Sequence, residues 1–264
     1  MAWTEYRYLY DGTFAGFLTC VFESYARRER PMVFAGPEEV RLTLYPERII
    51  QTRKEQALRV YQGIAKNISP AAQRLAALGF LTCLPEREQV IYQFLRLGFA
   101  EGGQVTHWLT DGRVAVLDHA VRLLTHEAHQ YQGFVRFSDF SGLLAGEIEP
   151  KNRVLPLLRP HFCDRFSHET FFLYDRTHQE ALLYQPGRWA IAPMKDFQMA
   201  RPSQEEREYR RMWKVFYDTI SIRERENPKL RRSNMPKRYW SQLTEFQSDL
   251  GEERGNAEIL PGIE

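Results

Sequence analysis

A chain of 264 residues with 43% hydrophobic, 27% charged and 13% aromatic side chains has the composition of a folded globular protein with a sizeable core, which excludes disorder along its whole length. Lys+Arg 36 against Asp+Glu 34 leaves a formal charge of +2, so the whole-chain charge names no partner. The apolar stretches are about half the roughly 20 residues that a membrane-spanning helix needs, and the opening MAWTEYRYLYDG lacks the pattern of a secretory or transit segment, so a cytoplasmic protein that does not engage a membrane is expected.

The residues YRYLYDG at 6–12 alternate like a short strand, and Asp11-Gly12 turns the chain into Thr13, a helix N-cap. Phe14, Phe17, Leu18, Val21, Phe22 and Tyr25 then share one face of an amphipathic helix. A short strand within 41–52 is weakened by Pro46. Helices follow at 54–65, 70–80 and 85–97, the last opening at Pro85 with Glu86 and Glu88 in its first turn, where the helix dipole favours acids. Another helix spans 113–130. Its wheel places Val114, Leu117, Val121, Leu124 and Ala128 on one side and His119, Arg122, His126 and His129 on the other.

From Gly133 the period changes, and GFVRFSDFSGLLAGEIEP reads as a hairpin. Residues 154–166 form a short apolar helix or irregular crossing. ETFFLYD, EALLYQ and GRWAIAPM, separated by RTHQ and PG, then form a three-strand meander. Ser203 and Glu206 make a capping box ahead of a stripe of Tyr209, Met212, Trp213, Phe216, Tyr217 and Ile220, a helix that Asn227-Pro228 ends or breaks. The expected fold class is α+β: an antiparallel sheet of hairpin plus meander, packed by helices, after a mainly helical N-terminal part. One domain over 1–250 is expected, with its helical part at 13–130, its sheet at 131–200, its C-terminal helix and basic segment at 203–246, and a flexible tail at 251–264.

Chemistry is sparse. Cys20, Cys83 and Cys163 are odd in number and far apart, which suits core thiols in a reducing compartment rather than disulfides or a metal motif. Neither a nucleotide-binding glycine motif nor a zinc-protease motif is present. Within the histidine stripe, Arg122 opposes a divalent cation and no third ligand is local, so the expected role is a polar face and no metal is expected. Glu147 and Glu149, two apart on a strand, point to one side of the sheet and suit a cation or acid–base pair. More simply they are the wet face of a hairpin, with Arg136 near enough to neutralise one of them. Asp175-Arg176 opens a turn, and Cys163 beside His161 defines no nucleophile and base.

The charge is uneven. Residues 201–240 hold twelve Lys/Arg against six Asp/Glu, and Lys229, Arg231, Arg232, Lys237 and Arg238, with no acid among them, lead into Tyr239-Trp240. That pattern suits phosphate contact beside an aromatic surface, although a solvated helix end with its aromatics in the core produces the same string.

Taken together, YLYDGTFAGFLTCVFE, EAHQYQGFVRFSDF, GEIEPKNRVLPLLRPHFCDRF, FFLYDRTHQEALLY and RRSNMPKRYWSQLTEF resemble a bacterial family of DNA-metabolism and DNA-repair proteins, over roughly 6–246. Its members accompany a radical-SAM protein with a role in DNA repair or modification, and a related domain occurs fused to uracil-DNA glycosylase. The resemblance implies DNA and a radical-SAM protein as partners. No cofactor is expected in this chain, any radical chemistry belonging to the partner. It also implies Arg136, Lys151, Arg153, Arg231, Arg232, Lys237, Arg238, Tyr239 and Trp240 as the contact residues, with the cations on phosphate and the aromatics stacking on a base or anchoring the segment. The function expected is a DNA-binding accessory or substrate-presenting protein. Its rivals are a DNA-processing enzyme using Glu147, Glu149 and the histidines, and a pure protein adaptor.

Overall fold

The computed structural model describes residues 3–36, 43–199, 203–220 and 226–246. The expected tail at 251–264, the first residues of the strand expected at 41–52, and Arg201, Arg223 and Arg225 of the basic region lie outside them. The chain divides into two compact units, Met1–Glu127 with Lys151–Val154, and Ala128–Pro150 with Leu155–Glu264.

In the first unit, strands β1 (Thr4–Leu9) and β2 (Glu29–Ala35) flank helix α1 (Phe14–Arg27), and β3 (Glu47–Ile49) completes a parallel sheet of order β2-β1-β3. Thr13 caps α1 as expected, its hydroxyl accepting from the Gly16 amide at 2.9 Å. The sequence reading missed β2. It follows α1 after the single left-handed residue Arg28 (φ 58°), contains Pro31, and lacks the period-two alternation that marks a half-buried strand. Because α1 is the crossover between them, β1 and β2 run parallel.

Helices α2 (Lys54–Asn67), α3 (Pro70–Gly79) and α4 (Arg87–Glu101) follow. Pro occupies the first turn of α3, behind the capping Ser69, whereas α4 starts two residues after Pro85, from a left-handed Glu86. The core is aromatic, with Phe17 against Phe34 at 5.3 Å and Phe34 against Tyr92 at 5.6 Å. Helix α5 (Gly112–Phe134) buries Val114, Leu117, Val121, Leu124 and Ala128, the stripe read from the sequence.

In the second unit, β4 (Phe137–Asp139) and β5 (Leu143–Ile148) form the expected hairpin, and β6 (Thr170–Asp175), β7 (Glu180–Gln185) and β8 (Arg188–Pro193) the expected meander. The two join differently from expectation. β5 and β6 are parallel neighbours, so the five-stranded sheet β4-β5-β6-β7-β8 is mixed rather than antiparallel. The connection between them contains helix α6 (Leu155–Arg165), which carries the chain back to the starting edge as a parallel pair requires. One face of the sheet packs Phe137 and Phe171 against Phe162 and Phe166. The other carries Ala145, Phe172, Tyr174 and Ala181, packed by Phe140, Met194, Phe197 and Met199.

Helix α7 (Gln204–Ile220) is capped by Ser203, whose hydroxyl accepts from the Glu206 amide at 3.1 Å. Its apolar stripe is not core: Tyr209, Met212, Trp213, Phe216 and Ile220 remain 43–58% exposed. Asn227, expected from the sequence to end or break the preceding helix, caps a new helix, α8 (Pro228–Asn234). Two 3-10 turns, Lys237–Gln242 and Thr244–Phe246, close the described chain. No helix among the described residues is long and apolar enough to cross a membrane.

Candidate nucleic-acid interface

Tyr239 holds the C-terminal basic segment in place. It is fully buried, with its ring edge-on to Tyr131 at 5.0 Å and 5.1 Å from Phe134. Its hydroxyl donates to Gln130 Oε1 at 2.6 Å and accepts from the Arg238 guanidinium at 2.6 Å. Of the two roles expected for Tyr239, the structure shows the anchor; a buried ring offers no face to a base.

Trp240 stacks on Phe246 at 4.6 Å and donates its indole N–H to the Met235 carbonyl at 2.9 Å. Over that aromatic pair lie the Arg231 guanidinium, 5.6 Å from the Trp240 ring, and the Lys237 ammonium at 5.8 Å, positions that a cation–π attraction favours. Arg232 donates to the carbonyl of Pro228, the first residue of α8, at 3.1 Å. Lys229, Arg231, Arg232, Lys237 and Arg238 are all exposed. Among the described residues, Lys229, Arg231, Arg232 and Lys237 have no carboxylate partner.

Arg136 behaves differently. It donates to the Gly133 carbonyl at 2.9 Å and to Glu245 Oε1 at 2.9 Å. Glu245 is only 4% exposed and also accepts from the Trp213 indole at 3.2 Å. Burial pushes its carboxyl up, but its own backbone hydrogen bond, the Arg136 guanidinium and the indole outweigh that effect, and the net displacement is downward.

Arg136, Glu147 and Glu149, read from the sequence as neighbours on a hairpin, line one cavity of about 290 Å³ with Ser138, Arg176 and Arg210. The expected neutralisation of a glutamate by Arg136 is corrected, because Arg136 is engaged by Glu245 and Glu147 pairs instead with Arg176 at 3.1 Å. Arg210 pairs with Glu206 at 3.0 Å and donates to the Ser138 hydroxyl. These arginines are therefore balanced by acids within the unit. Among the described residues no histidine lines the cavity, so the constellation of glutamates and histidines weighed for an enzyme is not assembled there. From the sequence Arg176 is only part of a turn opening, and Arg210 and Glu245 are not singled out as site residues, since each becomes informative only through a partner distant in the chain.

The remaining candidates fall elsewhere. Lys151 and Arg153 belong to the first unit, where the buried Glu127 accepts from the Lys151 and Asn152 amides at 3.1 and 2.9 Å. Lys151 is exposed and Arg153 half-buried. His119, Arg122, His126 and His129 lie along α5, with Arg122 exposed and paired to Asp118 at 2.7 Å, and no metal-ligating cluster among the described residues includes these histidines. Of the cysteines only Cys20 is a buried core thiol, its acidity suppressed by burial; Cys163 is intermediate and Cys83 exposed. A separate cleft of about 880 Å³ lies beside the meander, lined by Leu143, Phe172, Leu183, Trp189, Phe197 and Met199 among others.

A family model described as a domain of unknown function, DUF4130, matches residues 85–245, more than half of the chain and nearly all of the second unit that is described. Among solved structures, a pGpG-specific phosphodiesterase, PggH, from Vibrio cholerae is similar at 11% identity and a TM-score of 0.34, over 67% of this chain and 81% of that one. A likeness at that level carries no argument about function. No curated protein matches the sequence.

Proposed function

The chain belongs to the DUF4130 family, a domain of unknown function, and we propose that it is a DNA-binding accessory protein of DNA repair or modification, acting with a radical-SAM protein. The observation that carries the DNA part is the charge imbalance of the C-terminal segment. Arg231, Arg232 and Lys237 are exposed, clustered about an aromatic pair, and without an acidic partner among the described residues. A phosphate backbone is the ligand that such a cluster neutralises with release of counterions. Arg238 extends the same surface from its place on Tyr239, and Trp240 stiffens it. Lys151, exposed in the first unit, is a second phosphate contact in this reading. The radical-SAM partner rests on the resemblance of the sequence strings.

The apolar face of α7, with Tyr209, Met212, Trp213, Phe216 and Ile220 in solvent, favours a second reading as a protein adaptor, because contiguous exposed apolar side chains mark interaction surfaces. One experiment separates the two: binding of fluorescent single- and double-stranded DNA across a salt series, beside Arg231→Ala/Arg232→Ala/Lys237→Ala/Arg238→Ala. Affinity that falls steeply with salt and collapses in the variant supports DNA binding. A folded wild-type chain that binds neither DNA sinks it in favour of the adaptor.

A further inference from the structure

The turn between β6 and β7, Arg176–Gln179, brings together three donor groups that the DNA reading does not use. A carboxylate oxygen of Asp175, a ring nitrogen of His178 and a carboxylate oxygen of Glu180 all lie within 4.8 Å of one another. Asp175 ends β6 and Glu180 begins β7, directly opposite each other in the antiparallel ladder, and His178 rises from the turn between them. From the sequence, RTHQ is only a separator between strands; D-x-x-H-x-E acquires meaning once the hairpin register is known.

Asp175 is the unusual member, since its carboxylate is wholly buried. Both of its side-chain hydrogen bonds come from His178: the backbone amide donates to Oδ1 at 3.1 Å, and ring Nδ1 lies 2.7 Å from Oδ2. A carboxylate offers about four acceptor positions, so this one keeps acceptor capacity in a place where water does not reach it. The contact between Nδ1 and Oδ2 holds the imidazole beside the carboxylate. Imidazole with two carboxylates is a donor set for a first-row divalent transition ion rather than for calcium or magnesium, which take oxygen alone.

We propose that Asp175, His178 and Glu180 bind a divalent first-row transition-metal ion such as zinc. Bonds of roughly 2.0–2.2 Å hold the three donors about one ion, which thereby ties the end of β6 to the start of β7. Three protein ligands leave at least one coordination position for water or a substrate oxygen, the arrangement of an open site rather than a closed structural one.

The test is titration of the full chain, first stripped with a chelator, with zinc alone against a competing chromophoric indicator, paired with thermal unfolding. The expected result is one equivalent bound per chain and a melting temperature that rises with zinc, because the ion binds only the folded hairpin. Both effects weaken by about tenfold or more in affinity in His178→Ala and in the near-isosteric Glu180→Gln. Circular dichroism of the zinc-free variants separates a lost ligand from a lost fold, and Glu180→Gln keeps the test open if His178→Ala does not fold. No saturable binding by folded wild type overturns the proposal. So does one-equivalent binding that survives both variants, or that is lost instead in His126→Ala/His129→Ala, which would place the ion on α5.

Discussion

Arg136, Arg176 and Arg210 each end on a carboxylate of the second unit, whereas Arg231, Arg232 and Lys237 in the same unit end on aromatic faces, a backbone carbonyl or solvent. The residue types are similar; what differs is what neutralises them. A cation paired with an acid within its own unit is engaged in holding the fold and offers little to an external phosphate. One without such a partner adds little to the fold and keeps its field for a ligand. The contrast predicts that truncating the first kind lowers stability and truncating the second lowers binding.

The largest expected effect is at Arg136. Removing its guanidinium leaves the Glu245 carboxylate buried with only the indole and amide donors. Arg136→Ala should cost about 3 kcal/mol in urea unfolding, the lower end for an uncompensated buried charge because Arg136 itself is partly wet. In the folded fraction, DNA affinity should be unchanged. A destabilisation below about 0.5 kcal/mol, within the range of an ordinary surface substitution, together with weaker DNA binding, would move Arg136 into the binding set and erase the distinction.

The second effect lies on the other side of the comparison. The fourfold alanine variant at Arg231, Arg232, Lys237 and Arg238 should unfold within about 1 kcal/mol of wild type, most of the change coming from Arg238, which touches Tyr239. Its plot of log affinity against log salt should be shallower by about 0.9 for each duplex phosphate that the variant no longer neutralises. Equal salt slopes for variant and wild type would show that these cations do not meet phosphate.

How far the sequence reveals this contrast depends on the range of each interaction. The helices at 54–101, the hairpin, the meander and the capped helix after Ser203 are visible because periodicity, caps and turns act over a few residues. The run from Lys229 to Trp240 is visible for the same reason. Pairings across the chain are not. Arg136 and Glu245 stand 109 residues apart, and nothing local distinguishes that arginine from one facing solvent. The parallel join of β5 to β6 is hidden likewise, because an irregular-looking segment with Pro156 and Pro160 folds as the crossover helix. The exposure of the α7 stripe is a matter of tertiary environment, since amphipathic spacing states which residues share a face and not what that face meets.

Tyr239 sharpens the comparison from inside the basic segment, being the one residue from Lys229 to Trp240 that the fold buries entirely. Tyr239→Phe keeps the ring in its aromatic pocket and removes only the hydroxyl that links Gln130 to Arg238. The expected cost is about 1 kcal/mol in urea unfolding, a single buried hydrogen-bonding group, with DNA affinity changed less than in the fourfold variant. A drop in affinity as large as that of the fourfold variant, at unchanged stability, would mean that Tyr239 leaves the core to meet DNA.

The smallest effect is on pH. The folded carboxyl of Glu245 titrates below its ordinary value of 4.5, so its contribution to stability is fully present above that pH and is lost as pH falls through the lower folded value. The gap in unfolding free energy between wild type and Glu245→Gln should therefore be constant near neutrality and close in acid. The cations over Trp240 provide the control, because arginine and lysine do not titrate in that range. The fourfold variant should track wild type through the same acid limb. A gap for Glu245→Gln that stays constant through the acid range would mean that the carboxylate draws no net stability from Arg136. The two classes of arginine would then differ in geometry alone and not in energy.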